Sequence, residues 1–157
     1  MFIPFQVVGL PITLLEELHT LSTEDRKARG IQKCIVDAKP GYPCRLSLAD
    51  AEVGEEVFLL PYRHHSVDSP YQAAGPVFIR ATGQEAALPP NELPEMLKHR
   101  FLSLRIYDEN AMMIGAQTLE GTGLAEAIQT IFCAPTANYI QVHNARPGCY
   151  NCEIRRA

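Results

Sequence analysis

Two spacings of apolar residues organise the chain. Phe2 to Val8 is apolar enough for a short strand, which Gly9-Leu10-Pro11 stops. Ile12, Leu14, Leu15, Leu18 and Leu21 then recur near helical spacing. Ser22 followed by Asp25 is a capping-box variant opening a second short helix, and Gly30 ends it. Ile31–Val36, Arg45–Leu48, Val57–Tyr62 and Pro76–Arg80 have strand character. Residues 39–43 form a loop, and an acidic loop containing Gly54 separates the second strand from the third. Leu88-Pro89-Pro90 leads into a helix from about Leu93 to Arg100, with Asn91 as its cap.

The C-terminal third is more sharply patterned. Phe101–Tyr107 and Ala111–Leu119 flank Asp108-Glu109-Asn110, a three-residue loop in which Asn110 accepts the left-handed conformation. That register sets Leu104 against Ile114 and Ile106 against Met112, and turns Arg105 and Tyr107 to the opposite face. Leu124, Ala127, Ile128, Ile131 and Phe132 share one side of a helix over 124–132, with Thr122 as its cap. The last segment, YIQVHNARPGCYNCEIRR (139–156), is a hairpin. A two-residue Pro-Gly turn would set Val142 against Glu153. A three-residue loop, Arg146-Pro147-Gly148, sets Val142 against Cys152 and Ile140 against Ile154. The second register separates apolar from polar partners and is preferred. It leaves Tyr139, Gln141, His143, Cys149, Asn151 and Glu153 on one polar face.

These elements predict an α+β fold over residues 1–157 as a single domain. It would be a mostly antiparallel sheet of about six to eight strands with three or four helices packed on one side. Composition agrees, with 46% apolar and 20% charged residues. The net charge of −4 is spread over both halves with no basic stripe, so nucleic acid is not an expected partner. No apolar run approaches the roughly 20 residues needed to span a bilayer. The first basic residue is Arg26, which argues against a secretory signal. Five irregularly spaced cysteines suggest no disulfide framework, so a reduced, cytoplasmic protein is expected.

Chemistry concentrates in the closing hairpin. Cys149 and Cys152 have CxxC spacing, but positions three apart on a strand point to opposite faces, which disfavours a metal or redox pair. Cys152 belongs in the core, and Cys149 shares the polar face with His143 as a diagonal neighbour. A thiol beside an imidazole is a candidate nucleophile; the plainer alternative is that both merely pack or hydrogen-bond. Arg45, Arg80 and Arg105 lie in strand patterns, where an inward guanidinium needs an anion or several acceptors. Salt bridges at sheet edges are the simpler use for any one of them. Tyr62, His64, His65 and Tyr71 flank the loop between the middle strands, while His19 and His99 fit an ordinary helix surface. Gly121-Thr122-Gly123 could hold an anion through free N–H groups, but it lacks a P-loop lysine and is not a GxGxxG, so no cofactor is expected.

Four segments, PGYPCRLSLADAEVGEEVFLLPY (40–62), SPYQAAGPVFIR (69–80), LRIYDENAMMIGA (104–116) and YIQVHNARPGCY (139–150), carry a family resemblance. Together they resemble domain-of-unknown-function family 1203, small bacterial proteins matched along nearly their whole length. Matching positions include Tyr42, Pro43, Cys44, Arg45, Tyr71, Gly75, Pro76, Arg105, Tyr107, His143, Gly148 and Cys149. Cys152 is outside that pattern. The resemblance implies a single cytoplasmic domain and carries no reaction with it. The leading expectation is a polar pocket for a small anionic metabolite. Arg45 and Arg105 would hold the anion beside Tyr71 and Tyr107, with His143 as acid/base and Cys149 as nucleophile. A homodimer or interaction module using an exposed strand edge is the second reading. A zinc protein using Cys44, Cys149 and a histidine is the third.

Overall fold

Eight strands form, divided between two sheets in which every pairing is antiparallel. The computed structural model describes all residues 1–157. The larger sheet runs β1 (Phe5–Val8), β8 (Tyr150–Arg156), β7 (Tyr139–Asn144), β5 (Phe101–Tyr107), β6 (Met113–Glu120). The smaller runs β2 (Gln32–Ile35), β3 (Glu56–His65), β4 (Ala73–Arg80). Four helices complete the chain: α1 (Ile12–Thr20), α2 (Thr23–Ala28), α3 (Glu95–Lys98) and α4 (Leu124–Phe132). The class is α+β, as the periodicities predict, and no helix is long and apolar enough to cross a membrane.

Alternation places the layers. Leu102 and Leu104, Ile140 and Val142, and Cys152 and Ile154 meet Met96 and Leu97 of α3 and Leu124, Ile128, Ile131 and Phe132 of α4. Burying each such side chain contributes roughly 1.5–3 kcal/mol. That packing is what holds a nine-residue helix, a length that is marginal in isolation. A second core joins Tyr150 of β8 to Phe58, Leu60, Val77 and Ile79 of the small sheet and to Leu15 and Leu18 of α1. The large sheet thus packs on α3 and α4 in one core and meets the small sheet and α1 in the other.

Several local readings hold. Ser22 accepts from the Asp25 N–H at 3.0 Å, and Gly30 adopts φ +73° where α2 stops. The hairpin register pairs Val142 with Cys152 and Ile140 with Ile154, although the loop is residues 145–148 rather than 146–148, since Asn144 N–H donates to Cys149 O at 2.9 Å. Others need correction. Arg45–Leu48 is a turn, closed by Leu48 N–H to Cys44 O at 3.0 Å, although its alternating residues mimic a strand. Asn91 does not cap α3, which begins after Pro94; its Oδ1 accepts from Phe5 N–H at 3.0 Å and ties the segment to β1. Thr122 caps nothing: Gly121–Gly123 form a 3₁₀ turn before α4. In the β5–β6 connection, the Asp108 carboxylate accepts from both Asn110 and Met112 N–H groups, widening the loop. Ala111, with φ +58°, takes the left-handed position, and Leu104 and Ile106 lie opposite Gln117 and Gly115.

Gly121 is fixed by space. A Cβ there would lie 1.8 Å from the Leu97 carbonyl oxygen, which belongs to backbone that cannot swing away. Gly121→Ala is therefore expected to destabilise the fold by about 3 kcal/mol, the upper part of the overpacking range. Gly123→Ala is the control, because its Cβ would meet only the Leu119 side chain at 3.6 Å. Urea melts of the two variants check the difference.

Candidate functional site

The turn at residues 43–50 is held from three sides by backbone bonds. Arg45 N–H donates to Phe78 O at 3.0 Å, Leu10 N–H donates to Arg45 O at 2.8 Å, and Ala86 N–H donates to Leu46 O at 2.9 Å. Gly9 permits the crossing, since a Cβ there would sit 2.8 Å from the Arg45 oxygen. The turn drives the Arg45 side chain inward until only 1% of the residue is exposed. Its Nε donates to Tyr150 O at 2.7 Å and Nη1 donates to Pro43 O at 2.6 Å. Both are carbonyls, so the buried cation has no carboxylate partner. Burial pushes its pKa down, and the Cys149 sulfur beside the guanidinium acts in the opposite direction. A buried charge satisfied only by neutral acceptors is costly, and sites of that kind are candidates for function.

Arg45 lines a cavity of about 490 Å³. Loop residues Pro40, Gly41 and Pro43 form one wall with Phe78. His99, Arg100 and Phe101 form a second with Glu120, the strand partner of Phe101, and Asn144, Arg146, Pro147 and Cys149 a third. Its arginines differ in what they already bind. Arg100 makes a two-pronged pair with Asp50, at 3.0 and 2.5 Å, and His99 Nε2 lies 3.2 Å from the same carboxylate. His99 is therefore part of this wall rather than a plain helix-surface residue. Arg146 stands exposed on the β7–β8 turn with no ion pair. Asn144 Nδ2 approaches the Cys149 sulfur at 3.4 Å, and Asn151 Nδ2 donates to Asn144 Oδ1 at 3.0 Å, which fixes the direction of that amide.

The expected Cys149–His143 pairing does not form. His143 lies opposite Tyr150 while Val142 lies opposite Cys152, so Asn151 is an extra residue on β8. This bulge reverses the alternation beyond it. Tyr150 comes to the His143 face, while Cys149 turns to Asn144, the neighbour of His143 whose side chain points to the opposite face. His143 instead packs edge-on against His64 at 5.1 Å, and His64 stacks on Tyr150 at 5.0 Å. The Gly148 carbonyl can only accept, so His143 Nδ1, 3.0 Å away, carries the hydrogen. Nε2 is left buried without a partner. Burial lowers the His143 pKa to about 4; the Gly148 bond works to raise it, and repulsion from Arg105, His64 and Arg45 adds to the lowering.

Arg105, Tyr71 and Tyr107 do not line the Arg45 cavity either. Arg105 and Tyr107 lie across from Gln141 and Tyr139 of β7. There Tyr107 stacks on Tyr139 at 5.2 Å, and Tyr71 meets Tyr107 edge-on at 6.1 Å. His65 secures this cluster: its Nδ1–H donates to Tyr71 O at 2.7 Å, and in the neutral ring Nε2 accepts from the Tyr139 hydroxyl at 2.6 Å. Gln141 links the sheets by bonding both the His64 ring and the His64 carbonyl, at 2.9 and 2.8 Å. Arg80 has the simpler fate of a salt bridge to Glu55 at 2.8 Å. Cys44 is fully buried, its sulfur accepting from Ser47 and Arg80 N–H groups, and no three His, Cys, Asp or Glu side chains gather at metal-binding spacing. Asn144 and Arg146 carry no chemical motif of their own; the signal available in the sequence was their place at the end of β7 and within the tight turn before Cys149.

The molecule is thus a two-sheet α+β protein with an arginine-lined cavity where the β7–β8 turn meets the Arg45 turn. The chain belongs to the DUF1203 family, described as a protein of unknown function, whose model matches residues 41–156. That span includes every cavity residue except Pro40. No curated protein and no solved structure matches the chain.

The low His143 pKa links folding to pH. Above its unfolded value of about 6.5 neither state binds the proton, so the full stability is present. As pH falls toward 4 the unfolded chain takes up a proton that the native ring refuses, and about 3 kcal/mol is lost. Proton NMR should show one imidazole titrating near 4, and His143→Gln should remove that resonance and flatten the corresponding part of the stability profile.

Proposed function

We propose that this protein binds a small anionic metabolite, a carboxylate or phosphate, in the Arg45 cavity. The observation that supports this most is the buried Arg45 guanidinium, which faces a cavity and has carbonyls but no carboxylate as partners. Two further arginines line the same space; Arg100 is already neutralised by Asp50, and Arg45 and Arg146 together outnumber the one lining carboxylate, Glu120. An anion seated between Arg45 and Arg146 would supply the missing counter-charge in a setting where charge-assisted hydrogen bonds contribute about 1.5–3 kcal/mol each. Phe78, Phe101 and the prolines offer apolar walls for the rest of such a ligand. Cys149 and Asn144 sit beside the anion position, so a reacting group attached to it would meet the sulfur. His143 lies on the other face and is assigned no part in this step.

A second reading rests on β6. Met113–Glu120 is an eight-residue edge strand without proline or lysine, mostly exposed, Ile114 included, and Met112 just before it is exposed too. Long edges lacking such protection favour pairing with another strand. In this reading the protein is a homodimer that joins two β6 edges, and Thr118→Lys would return it to monomer in light scattering.

Thermal-shift titration with inorganic phosphate and small dicarboxylates tests the anion reading. A saturable rise in melting temperature is expected for at least one of them. Arg146→Ala, an exposed change, should keep the fold and weaken that anion roughly ten- to hundred-fold, the equivalent of one charge-assisted contact. Arg45→Lys should weaken it at least as much. No saturable shift with any anion, or an unchanged affinity in both variants, refutes the assignment.

A further inference from the structure

The structure assigns Cys149 as a site of two-electron oxidation by hydroperoxides, with Arg45 and Asn144 as the groups that stabilise the charge that moves. Two observations carry this independently of each other. The first is the amide donor at the sulfur. Asn144 Nδ2 approaches it at 3.4 Å, oriented by Asn151. The second is Arg45 itself. It is 1% exposed, its Nε and Nη1 are bound to carbonyls, and Nη2 meets no oxygen acceptor of the protein although the residue lines the cavity. A buried donor left open toward a cavity suits an oxygen that acquires charge.

The chemistry balances simply. Once the thiol proton has passed to water, the thiolate is the attacking species. Its sulfur forms an S–O bond with one peroxide oxygen as the O–O bond breaks. Sulfur gives up two electrons, and the second oxygen departs as hydroxide from hydrogen peroxide, or alkoxide from an organic hydroperoxide, and is neutralised by the proton the thiol released to solvent. Negative charge moves from sulfur to the departing oxygen, and a guanidinium beside both positions stabilises that movement. The product is the sulfenic acid, the first and reversible step of cysteine oxidation.

The other four cysteines set Cys149 apart as the thiol that lines the cavity. Cys152 is wholly buried, and burial raises its thiol far above the usual range. Cys44 is fully buried with its sulfur held by two backbone N–H groups. Cys34 is half-buried on β2 and Cys133 is exposed at the end of α4, and neither lines the cavity. Cys133 serves as an internal reference for a thiol that is accessible but unsupported.

The test uses the intact protein, brief pulses of hydrogen peroxide and a sulfenic-acid trap, with adducts quantified peptide by peptide by mass spectrometry. Cys149 is expected to acquire the adduct roughly tenfold faster than Cys133, a modest share of what oriented donors achieve in enclosed sites. Asn144→Ala should slow Cys149 several-fold and leave Cys133 unchanged, and Arg45→Lys provides a second variant if Asn144→Ala disturbs the turn. Labelling of Cys149 no faster than Cys133 in the unaltered protein overturns the assignment. Equal Cys149 rates in the unaltered protein and a folded variant would also overturn it, since the donors would then contribute nothing. The inference shares the cavity of the anion reading but uses no anionic ligand, so either can fail while the other stands.

Discussion

The arrangement depends on how one guanidinium is satisfied inside the protein. Arg45 reaches from the turn beside β4 to the Tyr150 carbonyl at the start of β8, and so joins the small sheet's surroundings to the large sheet. The same group donates to Pro43 O, which closes its own turn around it. A lysine in this place would offer a point charge without the planar fork that meets two carbonyls in fixed directions. Because neutral acceptors satisfy the geometry and leave the charge unmatched, the bond that orders the turn also holds an unpaired cation at the cavity. Structure and candidate chemistry therefore share one side chain.

Around that centre the molecule separates two kinds of polar chemistry. At the cavity, arginines, an amide and a thiol meet solvent-accessible space. On the far side of β7, His64, His143 and Tyr150 are packed ring against ring. Farther along the same strand, His65, Tyr107 and Tyr139 do the same. Burial raises Tyr107, and raises Tyr139 to about 12, so both hydroxyls stay protonated and act as donors or packing surface. Burial also keeps His143 neutral. These rings read as the polar seam between two sheets, while the mobile charge lies at the cavity.

How much of this was legible in the sequence differed from place to place. Where a strand had one oily and one polar face, alternation gave both its presence and its partner, as Val142 with Cys152 and Ile140 with Ile154 demonstrate. The segment Arg45–Leu48 alternates in the same manner, yet Leu46 and Leu48 are buried from a turn, because a period of two over four residues does not distinguish a strand from a compact reversal. In the β5–β6 loop, the Asp108 carboxylate overrode residue preference and left Ala111 in the left-handed position. At the site, Arg45 and Cys149 were visible as chemical candidates. Their partners were not, since Asn144 and Arg146 reach the cavity through the β7–β8 turn, whose far strand is out of step by one residue.

That additional residue has a consequence for how such a cavity arises or disappears. Asn151 acts as a phase shifter in the hairpin: with it, the sulfur is delivered to the arginine side, and without it the strand would carry the thiol round to the ring cluster. Substitution at position 151 would preserve the count and hence the delivery, whereas loss of a single codon there would redirect Cys149 with every chemical group still encoded. Among relatives of this chain, length between the turn and the core-facing Cys152 is thus a better guide to a shared site than the identity of any one polar residue.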